Sequence, residues 1–200
     1  MNSSTWKPHG LIRTPQLEYY YQEAKAPVDP NGNTAQDRED KSIRLFAQLL
    51  AKYIFPGNDY AVVPGPTPSA QARKPSDLLV ERCTANMDFE VLCFVDAKKP
   101  TNVAASRVAY LEQQALSHCT ELLRANPTYK RAYACTVVGT HIRCWMVIPD
   151  FGGGVDMTGM WSWFQMGTFE HYMDVGLDAN TAVLERSFNQ MRNVPPSRTR

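Results

Sequence analysis

Apolar residues change their spacing along the chain, and each spacing predicts an element. Segments 37–55 and 103–125 carry apolar residues at three- and four-residue intervals, the spacing of one helix face. Pro56-Gly57 and Asn126-Pro127 follow them directly, so both helices are expected to end there. A further helix is expected near 179–192.

Shorter apolar runs bounded by turn-forming residues predict strands. These runs are 60–63, 77–83, 90–98, 133–138 and 142–148. The order along the chain is helix, three strands, helix and two strands, which predicts an α/β fold.

The same pattern divides the chain into four parts. We expect only one folded core among them, because 200 residues are enough for one sizeable core but not for two. We expect an irregular N-terminal extension, the folded core, an aromatic-rich C-terminal extension with a helix, and a disordered tail. Their respective ranges are 1–36, 37–150, 151–194 and 195–200.

The second and third predicted strands carry acids where they would meet. If the two strands pair as an antiparallel hairpin, Asp77 faces Asp96 when the turn is centred on Asn86-Met87. That centre lies in the only polar break between the runs, where Asn and Asp favour a turn. Side chains alternate along a strand, so Asp96 and Lys98 point to the same face. The hairpin therefore predicts two carboxylates and an ammonium at one strand end.

This set of groups favours metal-dependent phosphodiester chemistry. Mg²⁺ is held by one or two carboxylates, with waters and a substrate phosphate completing its coordination. The ion polarises the phosphoryl oxygen and makes a bound water more acidic. A nearby lysine can orient that water or offset developing charge. Asp77, Asp96 and Lys98 would fill these roles with Mg²⁺, or with Mn²⁺ in its place.

Two other acid-x-Lys sequences in the chain show whether the motif by itself indicates a functional site. Glu23-Ala24-Lys25 and Glu39-Asp40-Lys41 lie in polar stretches without a strand, whereas Asp96-Ala97-Lys98 closes an apolar run. The alternative interpretation is that Asp77 and Asp96 are ordinary strand-end acids beside a solvated exit. Spacing alone leaves both interpretations open, since a motif needs its structural context.

The composition of the chain limits which binding partners and which cellular compartment we expect. The net charge is only +1, so binding of nucleic acid must come from local clusters such as Lys98-Lys99, where Lys99 is a candidate substrate-binding residue. Five cysteines without paired spacing indicate a reducing compartment. Because no signal-peptide or membrane-spanning pattern is seen, we expect an intracellular protein, cytoplasmic or nuclear, with no membrane partner.

Pro75-Ser76-Asp77 and Asp96-Ala97-Lys98, in this order of elements, resemble the PD-(D/E)xK nuclease superfamily, which has the restriction-endonuclease-like fold. In the following helix, RecB-like members carry Gln-x-x-x-Tyr, and this chain has the similar Gln114-Ala115-Leu116-Ser117-His118, with His in place of Tyr. The resemblance covers about residues 37–148. It implies an α/β restriction-endonuclease-like core with N- and C-terminal extensions.

The resemblance also implies Mg²⁺-dependent hydrolysis of DNA or RNA. Asp77 and Asp96 would bind the metal, and Glu39 of the first helix would be a further ligand. Lys98 would position the attacking water, while Gln114 would orient the substrate or the site. The residues of the last hairpin that would contact phosphate are His141 and Arg143.

Other functions stay open. A nuclease-like fold can bind nucleic acid or protein without cutting it, and Trp161, Trp163 and Phe164 could stack on bases, cover the sheet or form a homodimer interface. A zinc site made of His118, His141 and cysteines would lack the usual paired spacing. Gly152-Gly153-Gly154 offers neither a dinucleotide-binding pattern nor a Walker lysine, and we expect it to be a flexible joint.

Overall fold

A computed structural model describes residues 6–25, 35–65, 76–84, 87–99, 103–150, 152–162 and 166–196. Its helices are α1 (Pro15–Lys25), α2 (Ala35–Leu49), α3 (Ala105–Ala125) and α4 (Asp178–Asn193). Its strands are β1 (Tyr60–Pro64), β2 (Leu78–Cys83), β3 (Phe89–Lys98), β4 (Ala132–Val138), β5 (His141–Pro149), β6 (Val155–Gly159) and β7 (Met173–Asp174). A π-helical turn, Leu50–Ile54, extends α2, and a 3-10 turn, Phe169–His171, precedes β7.

The seven strands form one sheet in the order β1-β2-β3-β4-β5-β6, with β7 also paired to β5. β3 and β4 are parallel, and the other pairs are antiparallel. A parallel pair needs a crossover connection, and α3 provides it. The predicted α/β class and the order helix, three strands, helix, two strands are therefore confirmed by α2 to β5.

The two faces of the sheet pack against different helices. Val95 and Ala97 of β3 belong to the main hydrophobic core, which α1, α2 and α4 complete. Ala134 of β4 and Trp145 of β5 belong to a second cluster that packs against α3. Asp96 lies between Val95 and Ala97 in sequence, so alternation places its side chain on the α3 face.

The prediction of an irregular N-terminal extension is wrong for part of its range. Residues 1–36 were expected to be irregular, but Pro15–Lys25 forms α1, which buries Leu17, Tyr21 and Ala24. These three residues lie on one helix face, and the Tyr21 hydroxyl donates to Asp174 at 3.2 Å. The helical spacing of these buried residues is hard to recognise in the sequence because polar and tyrosine residues surround them. Burial against the rest of the fold stabilises the helix.

The C-terminal extension adds strands to the sheet of the core. The strands β6 and β7 pair with β5, and α4, which corresponds to the helix expected near 179–192, contributes Phe188 to the main core. The glycines at 152–154 form the turn between β5 and β6 rather than a joint, because the Asp150 carboxylate accepts hydrogen bonds from Gly152 and Gly154 N–H. Of the predicted tail, 197–200 lies outside the described residues.

None of the described helices combines the length and the apolar composition that a bilayer crossing requires.

Gly176 packs directly against the ring of Tyr21, and this contact joins α1 to the loop before α4. A Cβ at Gly176 would lie 2.4 Å from the ring, whereas a Cβ at Gly152 would come no closer than 3.4 Å to the Asp150 side chain. Gly176→Ala should therefore lower the free energy of unfolding by about 1–3 kcal/mol through overpacking. Gly152→Ala, measured alongside by urea denaturation, should change it much less; equal effects would contradict this account of the packing.

Candidate active site

The β2–β3 hairpin has the predicted register at its open end. Leu78 pairs with Val95 and Leu79 with Phe94, which is the alignment that sets Asp77 opposite Asp96. The last registered pair is Leu78 with Val95, and the Asp77 N–H donates to the same Val95 carbonyl at 3.0 Å, so Asp77 stays hydrogen-bonded to β3 just outside the registered ladder. Residues opposite each other in an antiparallel pair share a face, so a continued register would place both carboxylates on one side of the sheet; this arrangement of the two side chains stays a prediction.

A β-bulge separates this end of the hairpin from its turn. Val80 pairs with Cys93, but Glu81 pairs with Val91, which leaves Leu92 as an extra residue on β3. Leu92 is buried in the main core. The expected turn centre, Asn86-Met87, is described only at Met87, whose N–H donates to the Thr84 carbonyl at 2.9 Å.

The Asp77 side chain is tied to the backbone of the acid-x-Lys segment. Its Oδ2 accepts a hydrogen bond from the Ala97 N–H at 2.7 Å. This bond continues the β2–β3 ladder with a side-chain oxygen in place of a backbone carbonyl. The carboxylate is therefore anchored to the residue that stands between Asp96 and Lys98.

Asp96 is 3% exposed and meets a histidine from α3. The His118 Nδ1 lies 3.2 Å from Asp96 Oδ2, and the His118 ring packs on Phe94 with 5.4 Å between ring centroids. A buried carboxylate is costly unless it is hydrogen-bonded or paired, and His118 provides that partner. Sequence reasoning gave His118 no defined role, although its i+4 spacing from Gln114 placed both on one helix face.

Lys98 and Glu39 meet at the same end of β3. The Lys98 Nζ lies 3.5 Å from Glu39 Oε1, and the two side chains are 18% and 13% exposed. Glu39 comes from the first part of α2, so this contact joins the predicted first-helix acid to the acid-x-Lys motif. Four of the predicted residues thus make contacts at residues 96–98: Asp77 accepts from the Ala97 N–H, Lys98 pairs with Glu39, and Asp96 pairs with His118 on the α3 face.

The residues that the structure describes contain no group of three or more His, Cys, Asp and Glu side chains arranged to hold a metal. A magnesium site made of two carboxylates, waters and phosphate contains fewer protein ligands than such a group. Asp77 and Asp96 as such a pair of ligands stay a prediction. Glu39 as a third ligand stays a prediction, and its contact here is with Lys98.

The other predicted residues lie around this end of the fold at different depths. Gln114 is half-buried on α3, one turn before His118, and Lys99 is half-buried after β3. His141 begins β5, with its Nε2 3.9 Å from Asp174 Oδ2 and its ring against Phe169. Burial lowers the pKa of His141, an effect that Asp174 opposes.

Arg143 does not lie on an exposed face, which contradicts its expected role in contacting phosphate. Its side chain is 0% exposed and its Nη1 lies 3.3 Å from Glu112 Oε1, which is also 0% exposed. The guanidinium stacks over the Trp145 ring, 3.9 Å from its centroid. The alternation along β5 correctly separates two faces, but it does not reveal that α3 covers the face of Arg143.

Glu112 is the centre of a buried polar network that sequence reasoning missed. Its carboxylate accepts hydrogen bonds from Gly167 N–H and from the Tyr172 hydroxyl, and Tyr172 in turn contacts Thr136 at 2.7 Å. Burial raises the pKa of Glu112, while the Gly167 N–H and the Arg143 charge oppose the rise. The sequence did contain a sign that Glu112 is buried, because this residue lies beside the apolar residues of the α3 stripe.

The aromatic C-terminal region is only partly described. The indole N–H of Trp161 donates to the His171 carbonyl at 2.9 Å, and the side chain packs against the main core. Trp161 is therefore engaged within the chain rather than presented for stacking. Trp163 and Phe164 lie outside the described residues, and the homodimer interface stays a prediction.

Comparison with known proteins gives one distant structural likeness. The cAAA-bound form of NucC from P. aeruginosa ATCC27853 aligns over 88% of this chain and 88% of its own, with a TM-score of 0.37 and 15% sequence identity. No family profile matches the chain, and no curated protein matches it. Because the likeness is so distant, any function must be inferred from the site residues themselves.

Removing Glu112 should strongly destabilise the fold. Glu112→Ala would leave Arg143 charged, buried and without its carboxylate, which typically costs about 3–5 kcal/mol. The matched control is Glu121→Ala on the exposed side of the same helix, which should stay within about 0.5 kcal/mol of the parent protein. Urea denaturation of the two variants checks this, and similar midpoints would show that the buried pair contributes little.

Proposed function

We propose that this protein is a metal-dependent nuclease that hydrolyses phosphodiester bonds of DNA or RNA. The observation that carries the proposal is the hydrogen bond from the Ala97 N–H to the Asp77 carboxylate, which ties Asp77 to the Asp96-Ala97-Lys98 segment. The element order is the one that a PD-(D/E)xK nuclease would have, and it supports the same proposal.

The two aspartates are suited to hold Mg²⁺ together with water and substrate phosphate. Asp77 directly precedes β2 and Asp96 lies near the end of β3, and each has one oxygen held by a protein donor, Ala97 N–H for Asp77 and His118 for Asp96. Such anchoring keeps carboxylates in place before the ion arrives. When bound, the ion would polarise the phosphoryl group and lower the pKa of a coordinated water.

Lys98 would place the attacking water and offset the charge that develops on phosphorus. Its ammonium lies 3.5 Å from Glu39, so its position is limited by a contact with an acid other than the two aspartates. Glu39 would then act by orienting Lys98, or would approach the metal as the resemblance implies. Gln114 and Lys99 would contact the substrate, and the net charge of +1 makes such local groups the main source of affinity.

Activity should depend on Asp96 and Lys98. In the presence of Mg²⁺ or Mn²⁺, Asp96→Asn should abolish cleavage of DNA and RNA substrates, because it removes a metal-binding charge. Lys98→Ala should reduce the rate about 10²–10⁴-fold, the usual contribution of a positioned acid or base. Gel assays on plasmid, single-stranded DNA and RNA, with and without EDTA, measure the effect and identify the substrate.

Glu23→Gln provides the matched control, since Glu23 also belongs to an acid-x-Lys sequence but pairs with Lys41 on the surface of α1 and α2. It should cleave like the parent protein. Parent-level cleavage by Asp96→Asn or Lys98→Ala would reject the assigned site. No cleavage by the parent protein under any condition, together with nucleic-acid binding, would instead favour the catalytically silent binding module.

Two substitutions of Asp77 separate its effect on stability from its effect on metal binding. Asp77→Asn keeps an oxygen that can accept the Ala97 N–H but removes the charge, so it should weaken Mn²⁺ binding while leaving stability nearly unchanged. Asp77→Ala also removes the acceptor and should cost a further 1 kcal/mol or so in stability. Isothermal calorimetry with Mn²⁺ and thermal unfolding measure the two effects, and unchanged Mn²⁺ affinity in Asp77→Asn would remove Asp77 from the ligand set.

A further inference from the structure

The contact between His118 and Asp96 joins the α3 helix to the proposed site. His118 Nδ1 lies 3.2 Å from Asp96 Oδ2, and the two side chains are 11% and 4% exposed. An aspartate has two oxygens, and rotation of its carboxylate exchanges them. A donor fixed at Oδ2 stops that exchange and keeps Oδ1 directed to one side.

His118 is itself held in place by packing. Its ring lies against Phe94, two residues before Asp96 on the same face of β3, with an angle of 34° between the ring planes. The next residue, Cys119, is fully buried between α3 and the sheet. The imidazole therefore has little freedom to leave Asp96, and the contact is set by rigid elements on both sides.

Helix packing does not account for this histidine. Apart from Glu112, the residues that bury α3 against the sheet are apolar, among them Val108, Leu111, Ala115 and Cys119. A leucine at 118 would serve such packing equally well, but it would leave the buried Asp96 oxygen without a donor. The side chain at 118 is therefore matched to the carboxylate and not only to the core.

We propose that His118 is a positioning residue, which donates from Nδ1 to Asp96 and presents the other carboxylate oxygen to the metal. This inference depends on the proposed function, because it assigns Asp96 as a metal ligand. Partners that orient a ligating side chain typically change metal affinity 10–100-fold when they are removed. His118 would contribute to metal affinity in this way without contacting either the metal or the substrate.

Three substitutions distinguish the hydrogen bond from the packing. His118→Phe keeps a ring against Phe94 but has no donor. His118→Asn places an amide nitrogen at the distance from Cβ that Nδ1 has, whereas His118→Gln places its amide one bond further out, where Nε2 would be. If His118 positions Asp96, the Phe and Gln variants should bind Mn²⁺ about 10–100-fold more weakly, and the Asn variant should recover much of the affinity.

Mn²⁺ binding is measured by calorimetry and by the loss of the free-ion electron paramagnetic resonance signal, with circular dichroism to confirm folding. If the Phe variant does not fold, the comparison of Asn with Gln decides the question. Equal affinity in the parent protein and in the folded Phe or Gln variants would overturn the role of His118 and leave the proposed function standing. A parent protein that binds no Mn²⁺ would overturn both.

Discussion

The hydrogen bond from the Ala97 N–H to the Asp77 carboxylate fixes the geometry on which the proposed site depends. It joins the start of β2 to the residue between Asp96 and Lys98, so the two strands cannot separate there without losing it. Because the partner is a backbone group, the bond does not depend on the identity of residue 97. Hydrogen bonds between β2 and β3 thus position Asp77, and β3 itself carries Asp96.

The helix α3 gives this face of the sheet two different polar contacts. Near the end of β3, His118 meets Asp96, and both side chains are largely buried. Further across the sheet, Glu112 and Arg143 form an ion pair that is fully enclosed. Both contacts hold α3 in one position on the sheet, since buried polar groups tolerate little displacement from their partners. The Glu112–Arg143 pair therefore helps to hold His118 beside Asp96.

The sequence predicted the hairpin because two local signals agreed, the polar break around Asn86 and the acids at the far ends of the two runs. It did not predict that Arg143 is buried, because alternation along β5 separates two faces without showing which helix covers each. The helix α1 was missed since its buried face, Leu17, Tyr21 and Ala24, is stabilised by distant residues such as Asp174. Contacts between residues far apart in sequence account for each of these errors.

The extra residue at Leu92 has a consequence for how this hairpin can change over time. A one-residue insertion in an ordinary ladder would turn every later side chain to the opposite face. Here the irregularity lies between the turn and the acids, and Leu92 is held in the main core. The tip of the hairpin can therefore gain or lose residues while the pairing beyond Val80 is preserved, so that its outer half is free to diversify independently of the end that carries Asp77 and Asp96.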